Sequence, residues 1–113
     1  MKDRVLPIEL TDNDTGKVYK LDFTRKVVDR VEKGGFSVAD CEKFPSKIRD
    51  LFYYSFLANH EREVTHRKTD EMLDDLGGVL NLPEGLLERL IELYVQTYGT
   101  LVDEKNSRMT VKF

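Results

Sequence analysis

The chain has 113 residues, of which 35% are charged, and a formal net charge of −3. One domain, spanning residues 1–113, is the default at this length. Nucleic-acid-binding domains usually carry a basic patch, so an acidic balance with scattered basic residues argues against nucleic-acid binding. One cysteine excludes an internal disulfide framework, and no apolar run approaches the ~20 residues of a membrane span. We therefore expect a cytoplasmic protein that does not bind nucleic acid or a membrane.

Alternating apolar residues on both sides of a turn predict a β-hairpin over about residues 5–23. The alternating residues are Leu6, Ile8, Leu10, Tyr19, Leu21 and Phe23. Residues 11–16 between them are turn formers, and Pro7, which lacks an N–H, predicts that the first strand lies at an edge. Because an isolated hairpin is marginally stable in water, it must pack on helices or pair with a further strand.

Capping residues and glycine pairs predict that residues 24–101 form four to five helices. Thr24 and Ser37 are expected to cap the first helix and a short helical turn, and Pro45 begins a long helix that ends near residue 59. The polar stretch 60–68 is interpreted as a loop or a frayed helix end. The predicted fold is α+β, with an N-terminal hairpin followed by a mainly helical part.

Two further helices are predicted before a tail at about 102–113. Thr69 is expected to cap the first, which ends at the glycine pair 77–78, and Pro83 is expected to open the second. The weak alternation at 109–113 predicts either a third strand or a disordered end.

The run 51–57 is apolar around the whole predicted helix. Tyr53, Tyr54 and Leu57 point away from the stripe that contains Leu51 and Phe52. A helix that is apolar on all sides must be covered on all sides, which a short chain can do only in part. For the two tyrosines, burial beneath the hairpin and contact with another protein remain equal alternatives.

No residue pattern predicts chemistry. His60 and His66 are six residues apart, whereas a zinc-binding helix needs a spacing of four. Cys41 has no histidine partner in the sequence and fits a small core residue. The acids within 70–75 lack the register of a calcium loop. We predict no catalytic, cofactor-binding or metal-binding residues, and a small enzyme would require a polar cleft that the sequence does not indicate.

The order of elements resembles the tail assembly chaperones of long-tailed bacteriophages and prophages, particularly those of Gram-positive hosts. The resemblance covers nearly the whole chain. It rests on the pattern Gly-Lys-x-Tyr-x-Leu-x-Phe at 16–23, the pair Phe44-Pro45 before the aromatic helix, and the acidic helix that precedes the last long helix.

The resemblance implies a non-enzymatic, homo-oligomeric protein without cofactor in the host bacterial cytoplasm. Its implied partners are the tape-measure protein, which it covers, and the tail-tube protein, which it helps to recruit. We place the partner contacts at Leu6, Ile8, Tyr53, Tyr54, Leu57 and Leu93. Strand pairing along residues 6–10 is a second route to a partner. The alternative is a small regulatory or antitoxin-like adaptor that binds one dedicated partner.

Overall fold

An antiparallel hairpin precedes the helices, as the alternating pattern predicts. The computed structural model describes residues 4–99, Met109 and residues 111–113. Strand β1 (Ile8–Thr11) pairs with β2 (Val18–Leu21) in a register that sets Glu9 opposite Lys20. The turn between them is held by the Asp12 carboxylate, which accepts the N–H of Asp14 at 2.9 Å, a local hydrogen bond typical of aspartate in turns.

Helix α1 (Arg25–Lys33) begins and ends where its capping signals predict. The Thr24 hydroxyl accepts the N–H of Val27 at 3.2 Å, which satisfies one of the unpaired donors of the first turn. Gly35, with a φ of 100°, follows its end. The buried face of the helix consists of Val27, Val28 and Val31.

A 3-10 turn (Val38–Glu42) leads into helix α2 (Pro45–Tyr54). Pro45 opens α2 as predicted, but the Ser37 side chain makes no capping hydrogen bond. The thiol of Cys41 is buried and donates to the Lys47 carbonyl at 3.5 Å. Cys41 is thus the core residue that the sequence predicts.

The predicted long helix 45–59 is divided in two, which corrects the sequence-based prediction. Helix α2 ends at Tyr54, and a single turn, α3 (Leu57–His60), follows. At the break, the carbonyl of Ser55 accepts the N–H of Asp22 at 3.0 Å, and the Ser55 hydroxyl donates to the Phe52 carbonyl at 2.5 Å. A bond from the end of the hairpin therefore takes up a carbonyl that a continuous helix would use itself.

Helix α4 (His66–Asp75) begins earlier than predicted, because Thr65 rather than Thr69 is its cap. The Thr65 hydroxyl accepts the N–H of Lys68 at 3.1 Å. Thr69 is buried one turn later, and its hydroxyl donates to the His66 carbonyl at 3.0 Å. The stretch 60–68 therefore contains the end of α3 and the start of α4.

Helix α5 (Leu86–Val95) begins after Pro83 rather than at it. Gly85, with a φ of 86°, precedes the helix, and a conformation of this kind outside the helical region explains the later start. A 3-10 turn (Gln96–Tyr98) ends the described helical part. Met109 and residues 111–113 lie in no strand, and the other residues of the predicted tail and of the helix end near 101 lie outside the described residues.

The core joins the inner face of β2 to α1, α2 and α5. Its fully buried large side chains include Leu21, Phe23, Phe52, Phe56, Leu90 and Tyr94. Edge-to-face contacts link these rings, for example Phe23 with Tyr94 at a centroid distance of 5.1 Å. The observed architecture is the predicted α+β arrangement of a hairpin followed by helices.

Candidate partner-binding surface

The outer edge of β2 is covered by α3. The N–H of Lys20 donates to Nε2 of His60 at 2.9 Å, and the Asn59 side chain donates to the Lys20 carbonyl at 3.3 Å. Since the backbone of Lys20 points away from β1, its partner Glu9 points its own N–H and C=O away from β2. Among the described residues the sheet has two strands, so those groups of Glu9 face an edge.

This open edge consists of the outward backbone groups of Pro7, Glu9 and Thr11. The alternation of an antiparallel ladder gives Thr11 the orientation of Glu9, and Pro7 lies two residues earlier. Within residues 4–99, no group forms a hydrogen bond with the outward N–H or C=O of Glu9 or Thr11. The prediction that Pro7 marks an edge strand is confirmed, and β1 offers a template for strand addition.

A groove of about 470 Å³ lies between the hairpin and the C-terminal half of α4. It is lined by Leu10, Thr11, Asp12, Asn13, Asp14, Tyr19, Met72, Asp75 and Leu76. Leu10 and Tyr19 belong to the inner face of the sheet, so this acidic groove continues that face beyond β1. It combines half-buried aliphatic side chains with three carboxylates, which suits a segment that is apolar on one side and basic on the other.

Leu6 and Ile8, two of the predicted contact residues, flank the open edge. Leu6 has 72% of its side chain exposed, and Ile8 is half-buried on the inner face of β1. The preceding residue, Val5, is fixed to the end of the helical part, because its N–H and C=O bond the Gln96 side chain at 2.9 and 3.1 Å. Leu6 is therefore presented from an anchored segment.

Tyr53 and Tyr54 are half-buried and form an aromatic patch with His66. The Tyr53 ring stacks on His66 with a centroid distance of 3.8 Å, and Tyr54 meets Phe36 edge-on at 5.1 Å. Burial raises the pKa of the Tyr54 phenol. The chain therefore covers part of each ring itself and leaves part accessible, between the two alternatives that the sequence allows.

Leu57 and Leu93 are not part of an exposed surface, which corrects their prediction as partner contacts. Leu57 is 6% exposed and Leu93 is fully buried. The break after Tyr54 turns Leu57 toward the core, and Leu93 lies on the inner side of α5 beside Leu90 and Tyr94. Both leucines are therefore expected to stabilise the fold rather than bind a partner.

The titratable groups that the sequence singles out have structural roles. Burial raises the pKa of the Cys41 thiol to about 11, so the thiolate that a nucleophile requires is disfavoured. His60 uses both ring nitrogens, since Nε2 accepts from Lys20 and Nδ1 bonds Glu63 at 2.5 Å. The described residues contain no group of three or more His, Cys, Asp or Glu side chains placed to hold a metal ion.

Sequence comparison assigns the chain to a family by a match over its whole length. The family model called domain of unknown function, DUF5055, matches residues 1–113. The chain belongs to the DUF5055 family. Neither the curated proteins nor the solved structures include a match to it. Among the described residues of this DUF5055 chain, no helix has the length and hydrophobicity to cross a bilayer.

The sequence does not predict the acidic groove. Met72 and Leu76 lie on the inner stripe of their helix and read as core, yet both remain half-buried in the DUF5055 fold. Asp75 reads as a solvent-facing acid. The groove exists because β1 is too short to cover the apolar side chains of α4. The sequence indicates the lengths of both elements, but the uncovered side chains can be identified only when the hairpin is placed over the helix.

Proposed function

We propose that this DUF5055 protein is a non-enzymatic tail assembly chaperone of a bacteriophage or prophage. In this role it binds the tape-measure protein and helps to recruit tail-tube subunits. The observation that supports the proposal best is the open edge of β1 beside the acidic groove. An edge with free backbone donors next to an apolar, charge-rimmed surface suits a protein that covers segments of other chains.

Strand addition provides affinity that depends little on the partner's sequence. The backbone groups of Glu9 and Thr11 would bond any extended segment. Selectivity would come from the alternate side chains of that segment, which would enter the groove over Met72 and Leu76. A tape-measure segment bound in this way would be apolar on one face and carry basic residues near Asp14 and Asp75.

Co-purification with a tape-measure protein tests the proposal. The genes beside the one encoding this chain identify the candidate, and the two proteins are co-expressed with an affinity tag on the tape-measure protein. A proline in place of Glu9 removes an outward N–H and should reduce recovery about tenfold. The matched control is Glu9→Gln, which retains the N–H. A proline elsewhere, such as Glu42→Pro, is not a suitable control because Glu42 lies in a 3-10 turn.

The same experiment separates the proposal from its alternative. If Glu9→Gln still binds the tape-measure protein and Glu9→Pro does not, and circular dichroism shows that both variants are folded, binding through the open edge is supported. Failure of the wild-type chain to bind a neighbouring tape-measure protein contradicts the chaperone role. A toxin gene in that neighbourhood and binding to its product would favour the regulatory or antitoxin-like adaptor.

A further inference from the structure

We propose that the open edge of β1 binds residues 108–113 of a second copy of the chain as an antiparallel third strand. The partner in this interaction is the protein itself. The inference rests on the proposed function only in treating the open edge as a binding site, and it requires no tape-measure protein.

The segment carries the pattern of a strand with one apolar face. Met109, Val111 and Phe113 alternate with Thr110 and Lys112 in the sequence. Successive side chains of a strand point to opposite faces, so an extended segment would place the three apolar residues together. Val111 is 73% exposed and Phe113 is fully exposed, which leaves these two apolar side chains to be covered.

Pairing Lys112 with Glu9 brings the faces into agreement. In an antiparallel strand that register sets Val111 opposite Leu10 and Phe113 opposite Ile8. Opposed residues share a face of the sheet, so both apolar side chains would extend the inner face. Lys112 would then lie on the outer face, where its ammonium group can pair with the Glu9 carboxylate.

The charge of Arg108 selects the antiparallel direction. Four residues before Lys112, it would lie in that direction beside the turn that contains Asp14. In the parallel direction it would lie toward Arg4, whose guanidinium is 4.0 Å from the Asp22 carboxylate. Attraction between Arg108 and the Asp14 carboxylate therefore favours the antiparallel direction.

The acidic groove receives the inward side chains of the added strand. Val111 opposite Leu10 and Met109 opposite Asp12 would both point toward the side of the sheet that Met72 and Leu76 line. Burial of those aliphatic groups would supply the apolar contribution to binding. The groove and the segment therefore match in the alternation of their apolar side chains.

A second copy is the occupant because the chain does not cover the edge with its own segment. Among the described residues, no hydrogen bond reaches the outward N–H and C=O groups of Glu9 and Thr11. Val111 and Phe113 are exposed. Exchange of the segment between copies would satisfy both surfaces. The open edge would then be occupied, and a tape-measure segment would have to displace residues 108–113 in order to bind.

Sedimentation equilibrium of the purified full chain tests the proposal through two matched variants. Val111→Asp places a carboxylate on the inward face, and Thr110→Asp places the same group on the outward face. We expect concentration-dependent self-association of the wild type, a loss of about tenfold or more for Val111→Asp, and less than about threefold for Thr110→Asp. A monomeric wild type, or equal effects of the two variants, overturns the proposal.

Charge reversal tests the register. Lys112→Glu and Glu9→Lys should each weaken self-association by about two- to fivefold, and the double variant should restore it. Absence of restoration overturns the pairing of Lys112 with Glu9. Monomers with slow amide exchange at Glu9 and Thr11, lost in Val111→Asp, would show that the segment binds within its own chain and would overturn the second-copy arrangement. None of these results depends on whether a tape-measure protein binds.

Discussion

Replacement of His60 by alanine should loosen the hairpin from the helices. The imidazole accepts the Lys20 N–H through Nε2 at 2.9 Å and bonds Glu63 through Nδ1. Its ring also meets Tyr19 edge-on, with a centroid distance of 5.2 Å. The histidine thus covers the outer edge of β2 and packs on an inner-face residue of the same strand.

The expected loss of stability follows from these two contacts. The hydrogen bond to an uncharged backbone group contributes about 1 kcal/mol net. The edge-on contact with Tyr19 contributes a further ~0.5–1.5 kcal/mol. The free energy of unfolding should therefore fall by about 1.5–2.5 kcal/mol, which in a domain of this size lowers the melting temperature by roughly 8–12 °C.

Urea unfolding and amide exchange measure the effect, with His66→Ala as the matched control. His66 is exposed and stacks on Tyr53, so its removal should cost less than about 1 kcal/mol. In His60→Ala the amide of Lys20 should exchange faster, whereas the control should leave it protected. Equal losses of stability in the two variants, or an unchanged Lys20 amide, would refute the reasoning.

Three further predictions follow from local geometry. With a pKa of about 11, about one Cys41 thiol in a thousand is ionised at pH 8. Iodoacetamide should therefore modify Cys41 far more slowly in the folded chain than in the urea-unfolded chain. Equal rates of modification would contradict the burial of the thiol. Gly77→Ala should cost about 1–3 kcal/mol more than Gly78→Ala in thermal melts, since a Cβ at Gly77 would lie 2.5 Å from a backbone oxygen, whereas Gly78 faces open space; the reverse order would contradict this geometry. Hydrogen bonds from Tyr98 and then Tyr94 hold the pKa of Glu32 below its usual value, so its contribution to stability is present above the unfolded-state pKa and is lost as the pH falls through the lowered one; Glu32→Gln should flatten this part of the acid-side decline in melting temperature.

Local signals in the sequence predict the hairpin and several helix ends correctly. The turn formers at 11–16, the Thr24 cap and the Pro45 start act within a few residues, so a reader of the sequence can identify them. The break at Ser55 depends on a bond from Asp22, 33 positions earlier in the chain, which no local pattern contains. Helix α4 shows a related limit, because its cap, Thr65, has the same hydroxyl chemistry as the predicted cap, Thr69.

The candidate surface was predictable only at the edge strand. Pro7 indicates an edge through its missing N–H, and this depends on a single residue. The prediction of Leu57 and Leu93 as exposed contacts is wrong, because a helical projection shows which side chains share a face but not which faces neighbours cover. The groove beside Leu10 arises from the mismatch between a four-residue strand and a longer helix, a property of the assembled elements.

Pro7 and the turn at Asp12 limit the length of any ladder that forms on β1. Between them only the amides of Glu9 and Thr11 can donate outward, and each such bond stabilises a complex by about 0.5–1.5 kcal/mol. A docked segment would therefore have a short residence time unless its side chains are also held. Because a third strand would meet a proline at one end and a turn at the other, the same arrangement opposes the long, continuous pairing from which fibres grow.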